Sequence, residues 1–275
     1  MMKKFNFILL IQVALFLSCS HTPERTAADL YQTAQQYFEQ NNLNAAKQVI
    51  DSIHTTFHND VEVRKLAREL MFKIQQKEEK RNVAYYDSML LIKEPILAEY
   101  SKQFILSKDS EYFDYKLYTH RSQTISYMPH TNILCEVKDN GELTLVSVFL
   151  GRKLDHTSFR ITAKDIFAET FEVPLSSEYN YHFDDMGSRW EYVTFTPEYQ
   201  NNVAGFIAQY ADQSLKVTLK SQKSSYNYFL EKRDKEAIKE AVDFSIVTKE
   251  VYILKQNQKK SSEKLIWLSE KLNQK

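Results

Sequence analysis

The spacing of apolar residues changes period twice along the chain, separating a helical stretch, a β-rich stretch and a second helical stretch. Leu30, Ala34, Tyr37 and Phe38 share one side of a helix over residues 27–40, Asn41-Asn42 breaks the pattern, and Leu43, Ala46, Ile50 and Ile53 resume it through residue 57. Two amphipathic helices joined so tightly must lie antiparallel. Asp60 is placed to cap a third helix whose stripe is Val63, Leu66, Leu70 and Ile74. The wholly polar run QQKEEKRN at 75–82 reads as a solvated helical stretch. Apolar spacing returns at Val83, Tyr86 and Leu90, and Pro95 starts or kinks a further helix ending near Phe104.

From about Tyr112 the period becomes two. Residues 132–138 and 142–150 flank Asp139-Asn140-Gly141, a hairpin with Asn-Gly as its turn. Leu143 to Leu150 is apolar on both faces apart from Thr144 and Ser147, which predicts a covered central strand. Further strands are expected at 158–162, 166–173, 190–196 and 215–220. In the last, Leu215, Val217 and Leu219 oppose Lys216, Thr218 and Lys220, the alternation of a sheet with one wet face. Thr196-Pro197-Glu198 opens a helix with a cap, a first-turn proline and an acid, docked by Val203, Phe206, Ile207 and Tyr210. From Tyr228 a helical stripe runs through Ala237, Ala241, Phe244, Val247, Val251 and Leu254, followed by a short last helix with Leu265, Leu268 and Leu272. The expected fold is α+β: N-terminal antiparallel helices, a mostly antiparallel β domain with one inserted helix, and a long C-terminal helix packing back on the N-terminal helices.

The stretch Tyr37-Phe38-Glu39-Gln40-Asn41-Asn42-Leu43-Asn44-Ala45-Ala46, with Ala34 and Ala46 at close-packing positions, resembles the turn region of a tetratricopeptide hairpin. It departs from that pattern at Thr33, at Asn41 in place of the turn glycine, and at His58 in place of the terminal proline, and no second full copy follows. Stable arrays need three or more repeats, so the hairpin is expected to pack on other elements.

Ahead of these elements stand Lys3-Lys4, an apolar run at residues 5–17 and the tetrad Phe16-Leu17-Ser18-Cys19. The run is 13 residues long, whereas a spanning helix needs about 20. A basic start, a short apolar stretch and a small residue before the cut make a secretory signal, and the cysteine at the first mature position makes it resemble a bacterial lipoprotein signal. That resemblance implies acylation of Cys19, an anchor that holds stably once two chains are attached. Ser20-His21-Thr22 lacks both an inner-membrane-retaining Asp and an acidic export run, which implies the outer membrane, facing the periplasm. The expected organisation is 1–18 signal peptide, 19–26 tether, 27–108 helical region, 109–227 β-rich domain and 228–275 C-terminal helical segment. This layout, with motifs such as Tyr192-Val193-Thr194-Phe195-Thr196-Pro197, resembles uncharacterised envelope lipoproteins of Gram-negative bacteria. The partners it implies are membrane lipid through Cys19 and an envelope protein.

Composition mainly excludes. The 36 basic and 36 acidic residues balance, so the chain has no electrostatic footprint for nucleic acid. Four glycines stand where average usage of about 7 % would place about 19. None of Gly141, Gly151, Gly187 and Gly205 lies within three residues of another, so no dinucleotide fingerprint, phosphate loop or nucleophile elbow can be written. With Cys19 acylated, Cys135 has no disulfide partner and reads as a small buried hydrophobe alternating with Ile133 and Val137.

His54 and His58 have i, i+4 spacing, but no glutamate follows His54 as a zinc peptidase requires. His120, His130, His156 and His182 show no ligand spacing and are expected in surface turns. The carboxylate pairs Asp184-Asp185 and Glu169 with Glu172 read as turn and strand residues. No catalytic residue, metal-ligating set or cofactor is assigned. Tyr179, Tyr181, Phe183, Trp190 and Tyr192 gather around one loop and strand, with Tyr181, Trp190 and Tyr192 the possible ligand face. The expectation is a membrane-tethered, non-enzymatic protein-interaction or scaffold module; the alternative is a glycan or peptidoglycan binder using the tyrosine-rich β face.

Overall fold

A computed structural model of the chain describes residues 25–108, 114–124, 130–185 and 187–274. Cys19, the signal segment and the change of period near Tyr112 lie outside the described residues. Contacts divide the chain into two units, Met1–Arg81 with Ser262–Lys275, and Asn82–Ser261.

In the first unit α1 (Ala27–Glu39) and α2 (Leu43–Thr56) pack against each other. Thr26 begins α1 with a capping box, its hydroxyl accepting from the Asp29 N–H while its own N–H donates to the Asp29 carboxylate at 2.9 Å. Asn41 turns the chain at φ 62°, a left-handed conformation that asparagine tolerates better than most residues, which is why no glycine is needed there. Asn42 then caps α2 by accepting from the Ala45 N–H. Asp60 caps α3 (Val61–Ser101) as expected, accepting from the Val63 N–H at 3.1 Å. Ala34, Ala46, Ile50, Ile53, Leu70 and Ile74 form the core of this unit. Ala67 takes the buried place expected of Leu66, which is 43 % exposed.

Among the described residues the second unit holds ten strands in two sheets. One is β1 (Phe104–Lys108), β2 (Leu117–His120), β3 (Asn132–Lys138), β4 (Leu143–Gly151), β8 (Ser188–Phe195) and β7 (Asn180–Asp185), in that spatial order, with the four-residue helix α4 (Arg121–Thr124) after β2. The other, in spatial order, is β10 (Ser225–Phe229), β9 (Lys216–Lys220), β5 (Ser158–Ala163) and β6 (Ile166–Glu169). All pairings are antiparallel. Ile133, Cys135, Val137, Leu145, Val193 and Phe195 from the first sheet meet Phe159, Ile161, Val217 and Leu219 from the second in one core. The short α5 (Val203–Gln209) and the long α6 (Lys232–Asn273) supply Ile207, Ala237, Ala241 and Phe244 to it. Phe244 stacks on Phe104 with centroids 4.2 Å apart. Gly141 turns the β3–β4 hairpin at φ 85°, and a Cβ there would stand 2.5 Å from the backbone of Lys249, so both the turn and the close approach of α6 require glycine.

The C-terminal helix packs back on α3 as expected. In the second unit Leu90 and Val251 are buried and Lys93 bonds Glu250 at 2.7 Å. In the first unit Trp267 packs edge-on against Phe72 and Lys264 bonds Glu79 at 2.8 Å. No described helix is long and apolar enough to cross a membrane.

Several local expectations need correction. α3 runs through Pro95 without a break, and α6 is one helix to Asn273, with no separate last helix. Polar residues occupy inter-helix positions where apolar periodicity lapses: Gln258 bonds Asp87 within the second unit, and Glu79, expected on a solvated face, is 8 % exposed within the first. Residues 225–229 form the edge strand β10, so the helix begins at Lys232 and not near Tyr228; four of the five residues are exposed, which removes the alternation that marks a strand. Thr196 does start a turn, accepting from the Tyr199 and Gln200 N–H groups, but left-handed Asn201 and Asn202 interrupt it and α5 begins only at Val203. The strand expected at 166–173 stops at Glu169. β7 was not anticipated; it is an edge strand with mostly polar, part-exposed residues.

Candidate functional site

The β7–β8 hairpin owes its two faces to strict alternation. Along β8, Glu191, Val193 and Phe195 are buried while Trp190 and Tyr192 project from the other side, half-buried. The register sets Tyr181 opposite Tyr192 and Phe183 opposite Trp190, so all four rings share the outer face. Phe183, Trp190 and Tyr192 lie within 6° of parallel, with centroid separations of 6.0, 6.3 and 6.1 Å. Three nearly equal separations exclude a column, whose end rings would stand twice as far apart. The rings are also too widely spaced for face-to-face contact. They form a triangular cluster of parallel, mutually slipped rings on the outer face of the hairpin. Tyr181 extends it, 5.7 Å from Phe183 and tilted by 40°, with 62 % of its surface exposed.

The reverse side of the hairpin is held by one carboxylate. Glu191 Oε1 accepts from the backbone N–H groups of Leu154 and Asp155 at 2.8 and 2.7 Å. Its Oε2 accepts from the His156 N–H at 3.0 Å and lies 2.7 Å from His156 Nδ1. A carboxylate can only accept, so Nδ1 carries the proton; His156 Nε2 reaches Ser147 Oγ at 3.1 Å. Burial alone would raise the Glu191 carboxyl, but the hydrogen bonds from His156 and the three backbone N–H groups outweigh it and hold the pKa at about 2. Ser147, His156 and Glu191 repeat the partner order of a Ser–His–acid triad. Ser147 and His156 have no exposed surface, and Glu191 has 1 %. The chain of hydrogen bonds therefore secures the loop between β4 and β5 to β8 from inside the core. At the rim, Arg189 bonds Asp184 across the hairpin at 3.1 Å and Asp155 at 3.3 Å.

No protein-family model matches the chain, and no curated protein or solved structure is significantly similar to it.

Tyr181, Trp190 and Tyr192, the sequence-predicted ligand face, are thus brought together. Phe183, in the sequence cluster but outside the predicted face, belongs with them, since the register sets it opposite Trp190. Tyr179 turns away to Tyr199, 6.3 Å distant. The remaining polar candidates are dispersed. His120 is buried, with Nε2 2.9 Å from Glu240 and Nδ1 2.8 Å from Ser122, and His156 is buried as described; neither stands in a surface turn as expected. Asp155 beside His156 suggests a turn, whereas in both histidines the two ring nitrogens are bonded inside the fold. Glu169 joins Arg160 and Lys220 across the second sheet, and these bonds outweigh its burial and hold its pKa low. Desolvation, with Arg64 and Arg68 nearby, lowers the pKa of His54.

Proposed function

We propose that the protein is a membrane-tethered, periplasm-facing binding module that acts without catalysis, and that the β7–β8 hairpin holds a glycan chain such as peptidoglycan. The observation that carries this reading is the cluster of Phe183, Trp190 and Tyr192 on the outer face of the hairpin, three parallel rings with centroids 6.0–6.3 Å apart. A pyranose presents an apolar C–H face that packs on an aromatic face while its hydroxyl edges reach polar groups, here Asp184 and Arg189 at the rim. The Glu191 network supports the array from behind, so little ordering cost remains for the ligand to meet. The anchor is assigned to acylated Cys19 on the strength of the signal pattern before it.

Sedimentation with isolated peptidoglycan and affinity electrophoresis in soluble polysaccharides test the reading. Trp190→Ala and Tyr181→Ala are each expected to weaken binding roughly tenfold with the fold intact by circular dichroism. Unchanged binding in both variants, or none in the native chain, refutes it.

A protein partner is the second reading, favoured by an apolar stripe on α3. Tyr85, Ile92 and Ile96 are 56 %, 58 % and 40 % exposed and follow helical spacing. Capture of one envelope protein by a photo-crosslinker at Ile92, with glycan binding absent, transfers the function to that face.

A further inference from the structure

At the start of α6 the fold collects a histidine and two carboxylates from distant parts of the chain. Glu231 immediately precedes the helix, Asp234 lies in its first turn, and His130 stands just before β3. One ligand atom from each lies within 4.8 Å of the others. Asp234 is 1 % exposed, and its Oδ1 accepts from Gln123 Nε2 at 3.2 Å, a bond that orients the carboxyl. Gln123 is itself fixed by donating to the Ile133 carbonyl and accepting from the Cys135 N–H. The group opens into a cavity of about 420 Å³ that Tyr226, Tyr228 and Phe229 also line.

The chain's own cation fits this place poorly. Arg233 Nη2 stands 3.3 Å from His130 Nε2 and 3.6 Å from Glu231 Oε2, and its Nε stands 3.9 Å from Asp234 Oδ1. Well-formed charge-assisted bonds measure about 2.7–2.9 Å. Arg233 Nε is buried without a hydrogen-bond partner, and so is the Tyr228 hydroxyl in the same cavity. A guanidinium only donates, so His130 Nε2 is the unprotonated nitrogen and directs its lone pair into the cluster.

We propose that His130, Glu231 and Asp234 bind a divalent transition-metal ion, with zinc the best match, in the place that Arg233 now approaches. Imidazole and carboxylate are both zinc ligands, and in tetrahedral coordination ligand atoms about 2.0–2.2 Å from the metal lie about 3.3–3.6 Å apart. The three ligand atoms, within 4.8 Å of one another, close to that by rotation of the half-buried His130 and the exposed Glu231 towards the oriented Asp234. Two carboxylates match the double charge, and a fourth position faces the cavity, where the Tyr228 hydroxyl can bond a metal-held water. Arg233, 38 % exposed, can swing to solvent.

Calorimetric titration of the metal-stripped full chain with zinc alone tests the site. One ion per chain is expected. His130→Ala and Glu231→Gln, both at positions with solvent access, should each weaken it by at least the roughly tenfold to hundredfold that losing even an outer-shell partner costs. Arg233→Ala, which removes the competing cation, should tighten it. Absence of stoichiometric binding, or binding undiminished in His130→Ala and Glu231→Gln, overturns the proposal; the latter points to an adventitious site such as His54 with His58. Weaker binding in Arg233→Ala, with its thermal unfolding unchanged, overturns the exchange of arginine for metal.

Discussion

Glu191 has the most consequential environment of any single residue here, because one side chain joins a loop, a buried imidazole and the strand that carries the aromatic patch. Its folded pKa of about 2 lies below the ordinary 4.5. A carboxyl depressed in the folded state stabilises the fold above its unfolded value, and that contribution disappears as the pH falls through the folded one. Stability is therefore expected to drop by up to about 3 kcal/mol between pH 4.5 and 2 on account of this group. Glu191→Gln should be destabilised at neutral pH and should show a flatter profile across that window in urea denaturation. Parallel profiles for the two proteins would contradict the assignment. Glutamate 191 was unremarkable in the sequence because its partners are 35 to 37 residues away. Cys135 was legible, since alternation with Ile133 and Val137 placed it inside; its thiol is fully buried, and burial pushes its pKa up.

Helices and strands were legible in proportion to how much apolar surface each buries. α1 and α2, with a capping box and two turn asparagines, carry all their signals locally. β3 and β4, joined by Asn140-Gly141, do so as well. β7 and β10 were missed because edge strands are specified by pairing with a neighbour and not by their own pattern. The unbroken α3 and α6 show the same dependence: polar stretches that look like ends in isolation stay helical when the facing helix supplies partners such as Lys93 with Glu250. Pro95 is exposed inside α3, where it cannot donate to the carbonyl of Leu91 and its ring crowds the preceding turn. Pro95→Ala is expected to stabilise the chain by up to about 3 kcal/mol, read as a higher Tm. An unchanged or lower Tm would mean that the missing N–H and the ring of Pro95 cost the helix nothing here.

For the whole molecule, the anchor and the binding surfaces are separate matters. The proposed anchor rests on the sequence pattern before Cys19, and if that proposal holds Cys19→Ala is expected to move the protein out of the membrane fraction. Retention of the unprocessed variant in membranes would refute acylation as the means of attachment. The sequence by itself determined the α+β class, the antiparallel hairpins, the apolar stripes of the long helices and the aromatic supply of the hairpin, because these depend on spacings of two to four residues along one chain segment. Only the tertiary structure decided that three rings lie parallel, that His156 and Glu191 meet inside the core, and that His130 meets residues about a hundred positions away. Strand register and helix packing set those distances, and both arise from contacts between segments that no local period encodes.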